Sequence, residues 1–202
     1  MGYNHYWEVD AEIGKEPFSS IVADFQRIVL TLDDIGVRLA GGLGEGPPQI
    51  DADLIRFNGV WHCGHPKNEE IVIPFPAEDG SGIGGSADAV AGSYFGWGTL
   101  LKHRTCDGNC SYETFTLARK CGDATRVVNG RFHDSCKTGF RPYDLAVQCL
   151  LLIAKHHLKD RIRVSSGGTD FHWNDARRIC YLHLDYPLAR YRIDREAGLI
   201  LS

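Results

Sequence analysis

The stretch from Pro142 to His157 constrains the fold most, because it reads as a helix that is apolar on nearly every side. Leu145, Ala146, Cys149, Leu150, Leu152, Ile153 and Ala154 leave it little polar surface, and such a helix has to lie at the centre of a protein. Pro142 suits the opening turn, where its missing N–H is not needed. Lys155-His156-His157 places cations at the end where the helix dipole is negative. A central helix needs covering elements, and the remaining chain supplies them.

Residues 3–9 are aromatic-rich and alternate as a strand, with Tyr3, His5 and Trp7 on one face and Asn4, Tyr6 and Glu8 on the other. From Pro17, the residues Ile21, Phe25, Ile28, Val29, Leu32 and Ile35 recur at helical spacing until Gly36. Val37–Ala40, Leu54–Gly59 and Tyr112–Leu117 read as strands, and Glu70–Pro76 as an edge strand because each proline removes a ladder donor. Residues 41–48 form a loop by composition, and the glycines of 79–92 make that segment a mobile loop. After the central helix, Arg161–Ser165 is a strand and Gly167-Gly168 a turn. Thr169 or Asp170 caps a second amphipathic helix, which carries Phe171, Ala176, Ile179 and Cys180 inward and stops before Pro187. Tyr191–Leu201 adds a final strand. The expected architecture is α+β: a mainly antiparallel sheet with one buried central helix and two amphipathic helices, as one domain over 1–202.

Hydrophobic residues at 43% and charged residues at 24% supply enough apolar surface for such a core and exclude a disordered chain. No run of apolar residues is long enough to span a membrane, and the first residues lack the basic and apolar regions of a secretory signal. With seven cysteines, an odd number, this reads as a reduced, cytoplasmic protein. The net charge of −4 hides an asymmetry. Residues 1–136 hold 11 Lys and Arg against 19 Asp and Glu, whereas residues 137–202 hold 11 against 7. The mean acidity argues against a nucleic-acid polymer, while the basic last third leaves room for a small anion.

Cys106-Asp-Gly-Asn-Cys110 can offer two thiolates to one tetrahedral zinc, with His103, Cys121, Cys136, Cys63 or His65 available to complete the set. Cys149 and Cys180 belong to apolar helical patterns and read as core, while the other five cysteines lie in loop-like stretches. Lys137, Thr138 and Arg141 approach the start of the central helix, where free N–H groups favour an anion. Asp144 stands in its first turn as a dipole partner or a general base. His5 is either a core histidine or a catalytic imidazole, and Glu113 is the best-placed acid of the middle region. Adjacent His156 and His157 point about 100° apart on a helix and do not easily share a metal. Gly80-Ser-Gly82-Ile-Gly84-Gly85 fits the dinucleotide fingerprint in letters alone, since no strand runs straight into it.

Several segments together carry a resemblance: Gly2–Trp7, Leu54–Gly59, Cys106–Phe115, Cys136–Thr138, Pro142–Asp144, Ala154–His157 and Val164–Ser166 before Trp173. On these the chain resembles a family of proteins of about 200 residues scattered through phages, prophages and other microbial genomes. The resemblance spans most of the chain and implies one domain and a phage accessory or counter-defence role, such as neutralising a nucleotide signal. It lends no activity.

Three functions follow as expectations. The first is a pocket for a small anionic ligand, a nucleotide or phosphorylated metabolite. Lys137, Thr138 and Arg141 would hold the anion, Asn4, His5, Arg56 and Asn58 would add polar contacts, and Tyr94 and Trp97 would stack on a base. The second is a hydrolase or transferase on that ligand class, with His5, Glu113 or Asp144 as acid and base. The third is a zinc-stabilised interaction protein built on Cys106 and Cys110. Self-association is left open.

Overall fold

In the computed structural model, which describes residues 3–67, 69–72, 103–122, 126–194 and 196–201, the aromatic N-terminal segment is the middle of a sheet. Strand β1 (Asn4–Asp10) lies antiparallel between β9 (Arg131–Lys137) and β10 (Ile162–Ser166), with β8 (Val127–Val128) beyond β9. Its alternation holds: Tyr3, His5, Trp7 and Val9 are buried, while Tyr6 faces solvent. A second sheet is built on β4 (Leu54–Gly59), which pairs with β2 (Leu39–Ala40), β3 (Gln49–Ile50) and β7 (Phe115–Ala118). Two further antiparallel pairs are β5 (Glu69–Val72) with β6 (His103–Cys106), and β11 (Tyr191–Asp194) with β12 (Gly198–Leu201).

The apolar stretch forms α2 (Asp144–Leu158), which is buried without interruption from Asp144 to Lys155. Helix α1 (Lys15–Asp34) and helix α3 (Asn174–Leu184) pack against it. Stacked rings tie both sheets to these helices: Phe25 of α1 meets Phe57 of β4 at 5.3 Å, Phe57 meets Phe115 of β7 at 5.3 Å, and Phe115 meets Trp7 of β1 at 4.6 Å. Each such ring, fully buried, contributes roughly 1.5–3 kcal/mol. The fold is α+β, with antiparallel sheets and three α-helices among the described residues. None of these helices is long and apolar enough to cross a membrane.

Several boundaries differ from the sequence reading for identifiable reasons. Val37 does not open a strand. It completes the cap of α1, donating to the Leu32 carbonyl while Gly36, at φ +82°, donates to Asp33. That is the Schellman pattern, which draws the residue after the glycine back onto the helix. Tyr112 does not join β7, because the side-chain amide of Asn58 takes both its N–H (3.0 Å) and its carbonyl (3.1 Å). Cys136 is not in a loop but in β9, fully buried opposite His5. Helix α2 starts at Asp144, two residues after Pro142, and the tail makes a hairpin of two strands. Thr169 and His172 form a capping box on a short 3₁₀ turn (Asp170–Trp173) that leads into α3 and takes Phe171 out of the helix proper. The glycine segment 79–92, Tyr94, Trp97 and the end of the Glu70–Pro76 strand lie outside the described residues.

Candidate metal centre and buried polar cluster

Four residues from two loops converge beside β6. Cys63-Gly64-His65 follows β4, with Gly64 at φ +82° turning the chain between the two donors. Cys106 ends β6, and Gly108 at φ +69° brings Cys110 back beside it. The loops are held together before any ion is considered: the Cys110 N–H donates to the Val60 carbonyl at 3.1 Å. Gly59 permits that approach, since a Cβ there would stand 1.9 Å from the Cys110 carbonyl oxygen. The sulfur of Cys106 lies 3.3 Å from that of Cys63 and 3.3 Å from that of Cys110, and Cys110 Sγ lies 3.4 Å from His65 Nδ1. All four donor atoms fall within 4.8 Å of one another, and the group can hold a metal ion.

The electrostatics of the thiols favour a cation. Burial raises the Cys110 thiol, and the neighbouring Cys106 and Cys63 raise it further. Burial also raises Cys106. At Cys63 burial acts upward too, but hydrogen bonds from the His65 backbone and from Cys106, Cys110 and His65 outweigh it and bring the thiol down to about 7. Three thiols this close cannot all ionise without a positive charge among them.

Cys106 and Cys110 are thus brought together, with Cys63 and His65 beside them. Cys136 lies elsewhere, 3.9 Å from the Tyr143 hydroxyl in the core, and Cys121 is bonded through its N–H to Ala11. His103 opens β6. Cys149 and Cys180 are core, as expected.

A second constellation lies at the start of α2. His5 Nε2 is 2.8 Å from Asp144 Oδ1, and the Thr138 hydroxyl donates to the same oxygen at 2.5 Å. All three residues are fully buried. Arg104, 1% exposed, reaches in from β6 with Nη2 3.3 Å from Asp175 Oδ2 and Nε 3.9 Å from Asp144 Oδ2. Gln148, one turn beyond Asp144, donates to the Tyr3 hydroxyl at 2.9 Å. Arg104, Gln148 and Asp175 were missed in the sequence. Gln148 is the exception in an apolar run, and Arg104 shares the two-residue period of Cys106, but neither signal names a role.

The other expected anion contacts go to separate places. Lys137 stands over the exposed Tyr112 ring at 5.1 Å, and Arg141 donates to the Thr105 carbonyl at 3.4 Å. Glu113 accepts from the Lys137 N–H at 2.6 Å. Asn4 donates to the Tyr6 hydroxyl on the outer sheet face, Arg56 is exposed on β4, and Asn58 is committed to Tyr112 and Gly59. A cavity of about 630 Å³ lies beside Phe171, Leu188 and Ala189, with Arg177 in its wall. That guanidinium bonds Asp170, Asn174 and the Tyr191 carbonyl.

His156 and His157 part company as their spacing predicts. His157 bonds Asp24 at 2.7 Å, while His156 stacks on Tyr186 at 3.9 Å and meets the Tyr191 hydroxyl. His156 is not the helix-end cation expected, because burial first, and then Lys159 and His157, lower its pKa to about 4. A base depressed in the folded state stabilises the fold above its unfolded pKa of about 6.5. Stability therefore falls as pH drops from about 6.5 through 4, and His156→Gln flattens that part of the denaturation-midpoint profile. An unchanged profile in the variant overturns the assignment.

Comparison with protein-family models, curated proteins and solved structures finds no match to this chain.

Proposed function

We propose that the protein is a zinc-stabilised interaction protein, in which Cys63, His65, Cys106 and Cys110 hold a structural Zn²⁺. The observation that carries this is the closeness of the four donor atoms, all within 4.8 Å of one another. In a tetrahedral zinc site with Zn–S of about 2.3 Å, sulfurs stand ~3.8 Å apart, near the separations found here. Three soft thiolates and an imidazole select zinc over the hard cations magnesium and calcium. Four protein ligands also leave no position for a substrate, which is the mark of a structural rather than a catalytic site.

The ion acts on shape. It joins the loop after β4 to the turn after β6, and these loops present Trp61 and Tyr112, each 45% exposed, with Leu43 beside them at 77%. Gly44, next to Leu43, accepts from the Trp61 N–H at 3.0 Å, which holds the backbones at Leu43 and Trp61 together. An interaction role is favoured over a small-anion pocket, because Lys137 is taken up by the Tyr112 ring and Arg141 by the Thr105 carbonyl.

The test is elemental analysis of protein purified without chelator, which gives one zinc per chain. Cobalt substitution then gives the sulfur-to-metal charge-transfer band of a tetrahedral thiolate site. Metal-free protein, or undiminished zinc in Cys106→Ser and Cys110→Ser, overturns the reading.

A further inference from the structure

We propose that the sulfur cluster is also an oxidation site, at which a hydroperoxide joins Cys63 to Cys106 as a disulfide and so expels the metal. The expulsion rests on the zinc reading above, whereas the disulfide needs only the sulfurs. Cys106 Sγ is the central atom of the three, 3.3 Å from Cys63 Sγ on one side and 3.3 Å from Cys110 Sγ on the other. Sulfurs in a disulfide stand about 2.0 Å apart, so a side-chain shift of about 1.3 Å closes either bond.

Exposure decides which bond forms. Cys63 is half-buried on a loop whose flanking residues His62 and Gly64 face solvent, while Cys106 and Cys110 are 0% and 5% exposed. An oxidant has to reach a thiolate before it can react, so the first attack falls on Cys63. Cys106 stands against it as the resolving thiol, the arrangement that redox-sensing cysteines share. Cys136, Cys149 and Cys180 are buried in the core and sheltered from the same reagent. Topology gives the pair its consequence. Cys63 and Cys106 are 43 positions apart, on the loop after β4 and at the end of β6, so their disulfide spans the same two loops as the ion. A bond from Cys106 to Cys110 closes a single turn and leaves the two loops unlinked.

With hydrogen peroxide the electrons balance as follows. The Cys63 thiolate attacks one peroxide oxygen, the O–O bond breaks, and its electron pair leaves on hydroxide, which gives a sulfenic acid at Cys63. The Cys106 thiolate then attacks the Cys63 sulfur, the S–O bond breaks, and its electron pair leaves on a second hydroxide. The two thiolates have together lost two electrons, and two protons turn the hydroxides into water. Cys110 and His65 remain as two ligands where a structural site needs four, and Cys110 takes up a proton as the metal departs.

The test treats the full chain, as purified, with hydrogen peroxide. It reads metal release with a chromogenic chelator and maps peptides under non-reducing conditions. Release of the metal and a Cys63–Cys106 peptide pair lighter by two hydrogens are expected, and a thiol reductant with added zinc reverses both. Cys121→Ser, at a half-buried cysteine outside the cluster, leaves the response unchanged. Cys63→Ser slows loss of the Cys106 thiol about tenfold or more, because the accessible sulfur is gone. If that variant does not fold, the melting of the wild-type chain decides instead. Oxidised metal-free protein melts about 4 °C or more above reduced metal-free protein, since the cross-link closes a long loop. A Cys106–Cys110 disulfide, sulfinic acid without a disulfide, or thiols that persist in excess peroxide overturn the proposal. A chain purified without metal that still forms the Cys63–Cys106 disulfide overturns the zinc reading and supports the oxidation site.

Discussion

Removing the proposed structural zinc with a chelator lowers the thermal midpoint by about 8–16 °C. A ligand bound to the folded state alone, at a thousand times its dissociation constant, stabilises by about 4 kcal/mol. In a domain of this length each kcal/mol moves the midpoint by roughly 2–4 °C. The loss is expected to be large because the ion replaces several unfavourable terms at once. Without it, Cys106 and Cys110 are buried thiols 3.3 Å apart, and the loops are left with the bonds around the site: Cys110–Val60, Asn58–Tyr112 and the β5–β6 ladder. Cys106→Ser gives the same drop and then no response to chelator, which separates loss of the site from a general effect of the reagent. A midpoint unmoved by chelation, in protein shown to have lost its metal, overturns the structural role.

The same centre shows where sequence reasoning stops. Local patterns were legible: the apolar run gave α2, the 3.6-residue period gave α1, and alternation placed Tyr3, His5 and Trp7 on one buried face. Cys106 and Cys110 stood out because only three residues separate them and one turn joins them. Cys63 lies 43 residues from Cys106, and their meeting depends on which loop β4 delivers to the end of β6. No periodicity contains that information. Where a side chain replaced a ladder partner, as Asn58 did for Tyr112, a strand pattern misled. The buried cluster was half legible. His5 and Asp144 were candidates as single residues, but their pairing across 139 positions depends on β1 lying beside β9, the strand that leads towards α2. Of the cations expected at the start of α2, Lys137 meets the Tyr112 ring and Arg141 the Thr105 carbonyl, contacts no local pattern announced.

Arg104→Met lowers stability by about 3–5 kcal/mol, the penalty for removing one partner of a buried ion network. Arg104 and Asp144 are 1% and 0% exposed, and the guanidinium stands between Asp144 and Asp175. Methionine fills much of the same volume, so the loss reports the carboxylates rather than a cavity. Coupling decides between these causes. If the carboxylates are responsible, Arg104→Met with Asp175→Asn loses less than the sum of the two single changes, by at least about 1 kcal/mol in urea denaturation. Additivity means that the variant acts through packing alone and sinks the network. The position of Arg104 gives a second consequence. It lies two residues before Cys106 on β6, so the strand that enters the metal centre also carries the counter-charge of the cluster. With the proposed zinc holding the end of β6, metal stoichiometry in Arg104→Met stays at wild-type level while the stability falls. Loss of both together means that the two sites form one cooperative unit joined through this strand.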